Sequence, residues 1–247
     1  MVIAELRKLL GLPTAWAGLI IGTLLAPLIV LINAPAVRRA IADGSYGDLS
    51  NLGMNDLGAG LLGPLVLGVV IVSSEFTPTG EHSAGVTQLH ATLTAMPHRL
   101  RLLGAKAAVL SAVVLVQSVL AAAGVLTLTR ALHGDAMPPV DPARLVTVLI
   151  YWVLLALLAF AITLIVRNGI VPLTVLIVNS FFVSVSYLLT KLTDLAYYLP
   201  DIAGARMFIR GGQFDHPMSP LVAGLTMTTW VVALLTLAAW LFHRRDA

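Results

Sequence analysis

The chain has 247 residues, 58% hydrophobic and 11% charged, and its net charge is +3. Soluble domains carry about 25% charged residues, so this balance excludes an ordinary soluble globule and points to the bilayer. There is no cysteine, which excludes disulfides, thiolate metal centres and cysteine nucleophiles. The basic excess has no runs interleaved with aromatics, so it fits the flanks of membrane spans and no nucleic-acid partner is expected.

The N-terminal stretch "MVIAELRKLLGL" sets Ile3, Leu6, Leu9 and Leu10 among Glu5, Arg7 and Lys8. That pattern predicts a short helix over residues 1–13 lying along the membrane surface. Six apolar stretches follow, each near the roughly 20 residues a span requires: 16–34, 57–74, 102–126, 145–166, 171–189 and 221–242. The first is too long, and too abruptly followed by "APAVRR", to read as a signal peptide, so it is expected to be retained. Its "GLIIG" places Gly18 and Gly22 in a GxxxG pattern, a close-contact face either within the chain or between subunits.

Between the second and third spans lies a mixed polar segment, 75–101. His82, His90 and His98 are each eight apart. On a helix that spacing rotates each histidine by about 80° and separates the outer two by about 24 Å, so no metal site is expected. Val86, Leu89 and Leu93 form a narrow apolar stripe at i, i+3 and i+7. The stripe packs either on another protein or on the chain's own membrane face. Glu75 has Arg99 or Arg101 as candidate partners across the loop base, with contact to lipid headgroups as the alternative. Gln117 in the third span and Asn179 in the fifth are the clearest uncharged polar residues at membrane depth, where amides commonly join helices. Only a tight turn separates spans four and five.

Before the last span, residues 191–220 are too many for a simple connection. They carry Leu195, Tyr198, Leu199, Ile202, Met207 and Phe208. Short helices broken near Pro200 are expected, either capping a cavity or resting on headgroups through Tyr197 and Tyr198. An even number of spans puts both termini on one side. Lys and Arg divide almost evenly between the sides, but "RNG" at 167–169 and "HRR" at 243–245 lie tight against spans, which predicts cytoplasmic termini. No P-loop, GxSxG or HExxH is present, so no catalytic residue is assigned and no enzyme activity is expected of this chain.

The order Glu75, Phe76, Gly80, then "AGVTQLHATLTA", then Pro97, Arg99 and Lys106, resembles the permease family of type-two ABC exporters. The spacing departs from many members in having "GEHS", which begins at Gly80. The resemblance implies an all-α, six-span permease in the cell membrane, forming one transmembrane domain over the whole chain. It implies that segment 75–101 forms a cytoplasmic coupling helix on a separate ATP-binding subunit. Glu75, Phe76, Gly80, Val86, Leu89, Leu93, Pro97 and Arg99 would then be its contact residues. ATP and magnesium would be held by that partner, with no cofactor on this chain. It further implies a homo- or heterodimer with a second permease and a substrate pathway at their interface, for which Asn179, Phe182 and Ser186 are candidates. The cargo would be apolar or amphipathic: a drug, an antimicrobial peptide, a lipid or a glycan. A non-transporting immunity or scaffold protein and an intramembrane enzyme are the rival readings.

Overall fold

The computed structural model describes residues 1–76, 99–182, 184–211 and 218–244, which are all-helical. The apolar runs fold as α1 (Val2–Leu10), α2 (Pro13–Ala42), α3 (Leu62–Ser73), α4 (Arg99–His133), α5 (Pro142–Val166), α6 (Ile170–Ile177), α7 (Val185–Thr190), α8 (Pro200–Arg206) and α9 (Pro220–Arg244). Among the described residues, five helical stretches are long and apolar enough to cross a membrane: Pro13–Ala42, Leu49–Phe76, Leu100–His133, Pro142–Val166 and Pro220–Arg244. With hydrocarbon or protein on every side, a backbone at membrane depth must satisfy its own hydrogen bonds, and long helices do so.

Two of these stretches form the centre. The apolar windows of Leu49–Phe76 and Pro142–Val166 are each 61% buried, against 28% for α2 and 22% for α9. Trp152 and Phe160 of α5 are fully enclosed. Glycines bring the helices together where any side chain would separate them. A Cβ on Gly63 of α3 would lie 2.4 Å from Gly22 Cα of α2, and one on Gly68 would lie 2.3 Å from the Ala156 carbonyl oxygen of α5. The peripheral helices turn large apolar side chains outward: Trp16, Ile20, Leu24 and Leu28 on α2, and Leu221, Leu225 and Trp240 on α9. That is how lipid-facing surfaces are composed.

The expected fifth span, 171–189, is not one helix. α6 gives way to a π-helical stretch, Val178–Phe182, and the chain restarts as α7. Local side-chain bonds compete with the helical ladder here. Asn179 Oδ1 accepts from the Val185 N–H at 3.1 Å, and Ser184 Oγ accepts from the Tyr187 N–H at 3.1 Å as the N-cap of α7. Ser180 lies in the π-helical stretch and Ser184 caps α7, so the two do not share one α-helical face. The segment nevertheless runs from one end of the bundle to the other. Gly169 lies against Ser73 near the end of α3, whereas Asn179 and Ser184 lie near Gly58 and Asp201 at the opposite end.

α1 and the end of α9 are at the first of these ends. α1 packs on α4, and Phe242 near the end of α9 meets Val72, Leu102 and Lys106. The turn from α5 to α6 closes there as expected. Arg167 takes a left-handed φ of 57°, and Asn168 Oδ1 accepts from the Ile170 N–H at 2.7 Å.

At the opposite end, the segment after α7 folds as foreseen into short helices interrupted at Pro200. A 3-10 turn, Asp194–Tyr198, precedes α8, with Pro200 at the start of α8. Its side chains dock on the bundle. Ile202, Met207 and Phe208 are buried, Gly204 lies flat against the Tyr151 ring, and Trp230 Nε1 donates to the Tyr198 carbonyl at 2.8 Å. Of the two tyrosines expected at the headgroups, Tyr198 is exposed and Tyr197 is buried.

A buried arginine ties this end together. Arg144 donates through Nε to the Phe208 carbonyl, through one terminal nitrogen to the Ser50 carbonyl at 2.5 Å, and through the other to Asn51 Oδ1. Asn51 Nδ2 in turn donates to the Arg210 carbonyl at 2.7 Å. The guanidinium fork thus joins the loop before α3, the start of α5 and the segment after α8. Outside it, Arg210 bridges to Asp141 at 2.5 Å. The Asp141 carboxyl sits below its ordinary range, first because it caps the Ala143 N–H and also because Arg210 stands beside it.

Candidate functional site

Two polar constellations stand out in an otherwise apolar molecule, one at each end. The first is an ion cluster at the end holding α1 and the end of α9. Lys106, about two turns inside α4, is 3% exposed. Its ammonium lies 2.5 Å from Glu5 Oε2 and 2.7 Å from Glu75 Oε1, and Lys8 bridges to the same Glu75 oxygen. A third donation, to the Ile71 carbonyl at 3.4 Å, engages the end of α3. Two ammoniums and two carboxylates balance in charge, which is the condition under which such groups are tolerated out of water. The cluster binds three separate pieces: the N-terminal helix, the end of the second span and the start of the third. It therefore stands where residues 76 and 99 border the segment 77–98.

The second is a cavity of about 440 Å³ at the opposite end, between α5, the π segment and α8. Its walls are apolar and aromatic, with Tyr151, Phe181 and Phe208 among them; the Tyr151 and Phe208 rings are 5.7 Å apart. Its polar groups converge. Asn179 Nδ2 donates to Asp201 Oδ2 at 2.9 Å, and Ser184 Oγ approaches the same oxygen at 3.4 Å. Asp201 Oδ1 is buried without a hydrogen-bond partner. The break in the helix is what lets Asn179 and Ser184 turn toward Asp201 together.

The sequence-predicted residues are distributed unevenly over these sites. Glu75 is 3% exposed and is engaged within the chain by Lys8 and Lys106. Phe76 is half-buried, with the Arg167 guanidinium 5.9 Å from its ring centre. Gly80, Val86, Leu89, Leu93 and Pro97 lie outside the described residues, and Arg99 opens α4. Asn179 lines the cavity. Phe182 belongs to the π segment. Ser186 is buried on α7 and does not line the cavity. Gly18 and Gly22 both face α3 inside the chain, against Val66 and Gly63. Gln117 joins helices, donating to the Gly18 carbonyl at 2.9 Å and the Leu19 carbonyl at 3.1 Å. Among the described residues no group of His, Asp and Glu is arranged to hold a metal ion.

Sequence reasoning missed Glu5, Lys8 and Asp201. Glu5 carried a usable signal, since it falls one turn before Leu9 and so shares the inward face of α1. Asp201 had a weaker one, as an acid within a semi-apolar stretch. Comparison with protein-family models, with curated proteins and with solved structures finds no match to this chain.

Proposed function

We propose that the chain is the membrane-spanning subunit of an ATP-driven exporter of the type-two ABC class, working with a separate ATP-binding subunit. In this reading the broken segment 170–190 is the fifth of six crossings. The termini and loop 77–98 face the cytoplasm, and the chain pairs with a second permease. The observation that carries the proposal is the ion cluster under loop 77–98. A loop that transmits force from a soluble motor to membrane helices needs a stiff base. Glu5, Lys8, Glu75 and Lys106 tie the two flanking spans and the surface helix into one unit at that place. An apolar stripe on the loop, Val86, Leu89 and Leu93, offers the partner a surface of the helix-in-groove kind.

The experiment is affinity purification of the chain from its native membrane in mild detergent. A soluble protein with a Walker motif is expected to come down with it. Leu89→Glu is expected to lose that protein while the chain still inserts and runs as a single species on gel filtration. Retention of the same partner by Leu89→Glu, or no ATP-binding protein with the unmodified chain, contradicts the proposal.

A further inference from the structure

We infer that the cavity beneath α8 binds an organic cation with an apolar, aromatic-sized body, and that Asp201 supplies the counter-charge. Asp201 is the one charged side chain among the described residues lining this cavity. Its described hydrogen-bond partners are the neutral amide of Asn179 and the neutral hydroxyl of Ser184, both on Oδ2, while Oδ1 is buried with none. No ion pair to it forms among the described residues. A partly buried carboxylate with one oxygen shielded and no cation beside it carries a cost, and a ligand that brings the missing positive charge recovers it.

The walls specify the rest of the ligand. Tyr151, Phe181 and Phe208 present aromatic surface, which favours a cation through the ring quadrupole as well as by apolar contact. The volume, about 440 Å³, falls within the range of small-molecule sites. The contrast with the ion cluster at the other end is informative. There every carboxylate is matched by lysine, whereas here a carboxylate is held by neutral groups beside open space. The π-helical stretch Val178–Phe182 is what opens that space, and such stretches commonly mark sites of function. Naming this the cargo site rests on the exporter reading. Binding itself does not, because every residue involved belongs to this chain.

The test uses the purified full chain in nanodiscs of zwitterionic phosphatidylcholine, without any partner, with empty discs as baseline. Equilibrium dialysis compares 2-naphthylmethylammonium with its neutral isostere 2-naphthylmethanol. The ammonium is expected to bind saturably and at least tenfold more tightly than the alcohol. Asp201→Asn is expected to abolish that preference, and Asp194→Asn, which removes an exposed carboxylate that does not line the cavity, to keep it. Ala205→Leu, which fills the cavity, is expected to lose binding of both. Equal binding of ammonium and alcohol to the unmodified chain overturns the inference, as does a preference that survives Asp201→Asn. If Asp201→Asn does not fold, Ala205→Leu decides, because a charge preference that survives filling the cavity lies elsewhere. Since no ATPase is present, this outcome is independent of whether the exporter reading holds.

Discussion

The ammonium of Lys106 stands 2.5 Å from the carboxylate of Glu5, although 101 residues separate them in the chain. Both side chains are almost fully withdrawn from solvent, at 4% and 5% exposure. This contact fixes the N-terminal helix to the third long span. Lys106→Met leaves two buried carboxylates without their central cation. Removing one partner of a buried pair costs about 3–5 kcal/mol. The expected result is a clear drop in melting temperature in detergent, measured by fluorescence-detected gel filtration. Arg101→Met, which alters an exposed residue one turn earlier on α4, should melt like the unmodified chain.

Gly63→Ala and Gly104→Ala should move stability in opposite directions. A Cβ at position 63 collides with Gly22 Cα at 2.4 Å, where there is no flexible side chain to yield. The helices must separate, at a cost of about 1–3 kcal/mol. A Cβ at position 104 meets open space in the middle of a helix. There alanine improves on glycine by up to about 1 kcal/mol. Thermal melts of the two variants side by side provide the check.

The Asp141 carboxyl is held low by the Ala143 N–H and by Arg210. A folded-state value below the unfolded one stabilises the fold above the ordinary aspartate range, near 4, and the benefit fades as pH falls through the lowered value. Asp141→Asn should therefore melt below the unmodified chain at pH 7, by a small margin because the pair is exposed. The two melting curves should converge as pH drops below about 4. A gap that persists unchanged to pH 3 argues against this account.

Because the sequence has no cysteine, single cysteines report on sidedness without background. Ser45 and Ser219 are exposed at the end of the bundle opposite α1 and the end of α9. Cysteines placed there are expected to react with a membrane-impermeant maleimide on intact cells. A cysteine at position 83 is expected to react only after the membrane is opened. The opposite pattern reverses the orientation proposed above.

The long spans were legible because each depends on a continuous apolar run, and a run is visible in one dimension. The break in 171–189 was not. "VLIVNSFFVSVSYLL" is as apolar as its neighbours. What interrupts it is Asn179 reaching the Val185 N–H and Asp201, the latter 22 residues away. The GxxxG of Gly18 and Gly22 announced a close contact but not with what, since the answering glycine, Gly63, stands on another helix. Glu5, Lys8, Glu75 and Lys106 looked like ordinary flanking charges, because their meeting is a property of the packed bundle. The short helices around Pro200 were readable from too many apolar residues in too long a connection. Their docking on Tyr151 and Trp230 was not.

The order in which the ion cluster's members are synthesised sets the order in which the molecule is assembled. Glu5 and Lys8 leave the ribosome first, yet Glu75 follows two spans later in the apolar sequence and Lys106 only with the third. Until then α1 has at most its contacts with α2 and the pair of Lys8 with Glu75, and Glu5 lacks its lysine. Complete docking of the N-terminal helix thus needs the chain to have been made at least as far as residue 106. It acts as a latch that closes only when α2, α3 and the beginning of α4 have all reached the bilayer, and a chain halted before residue 106 leaves it open.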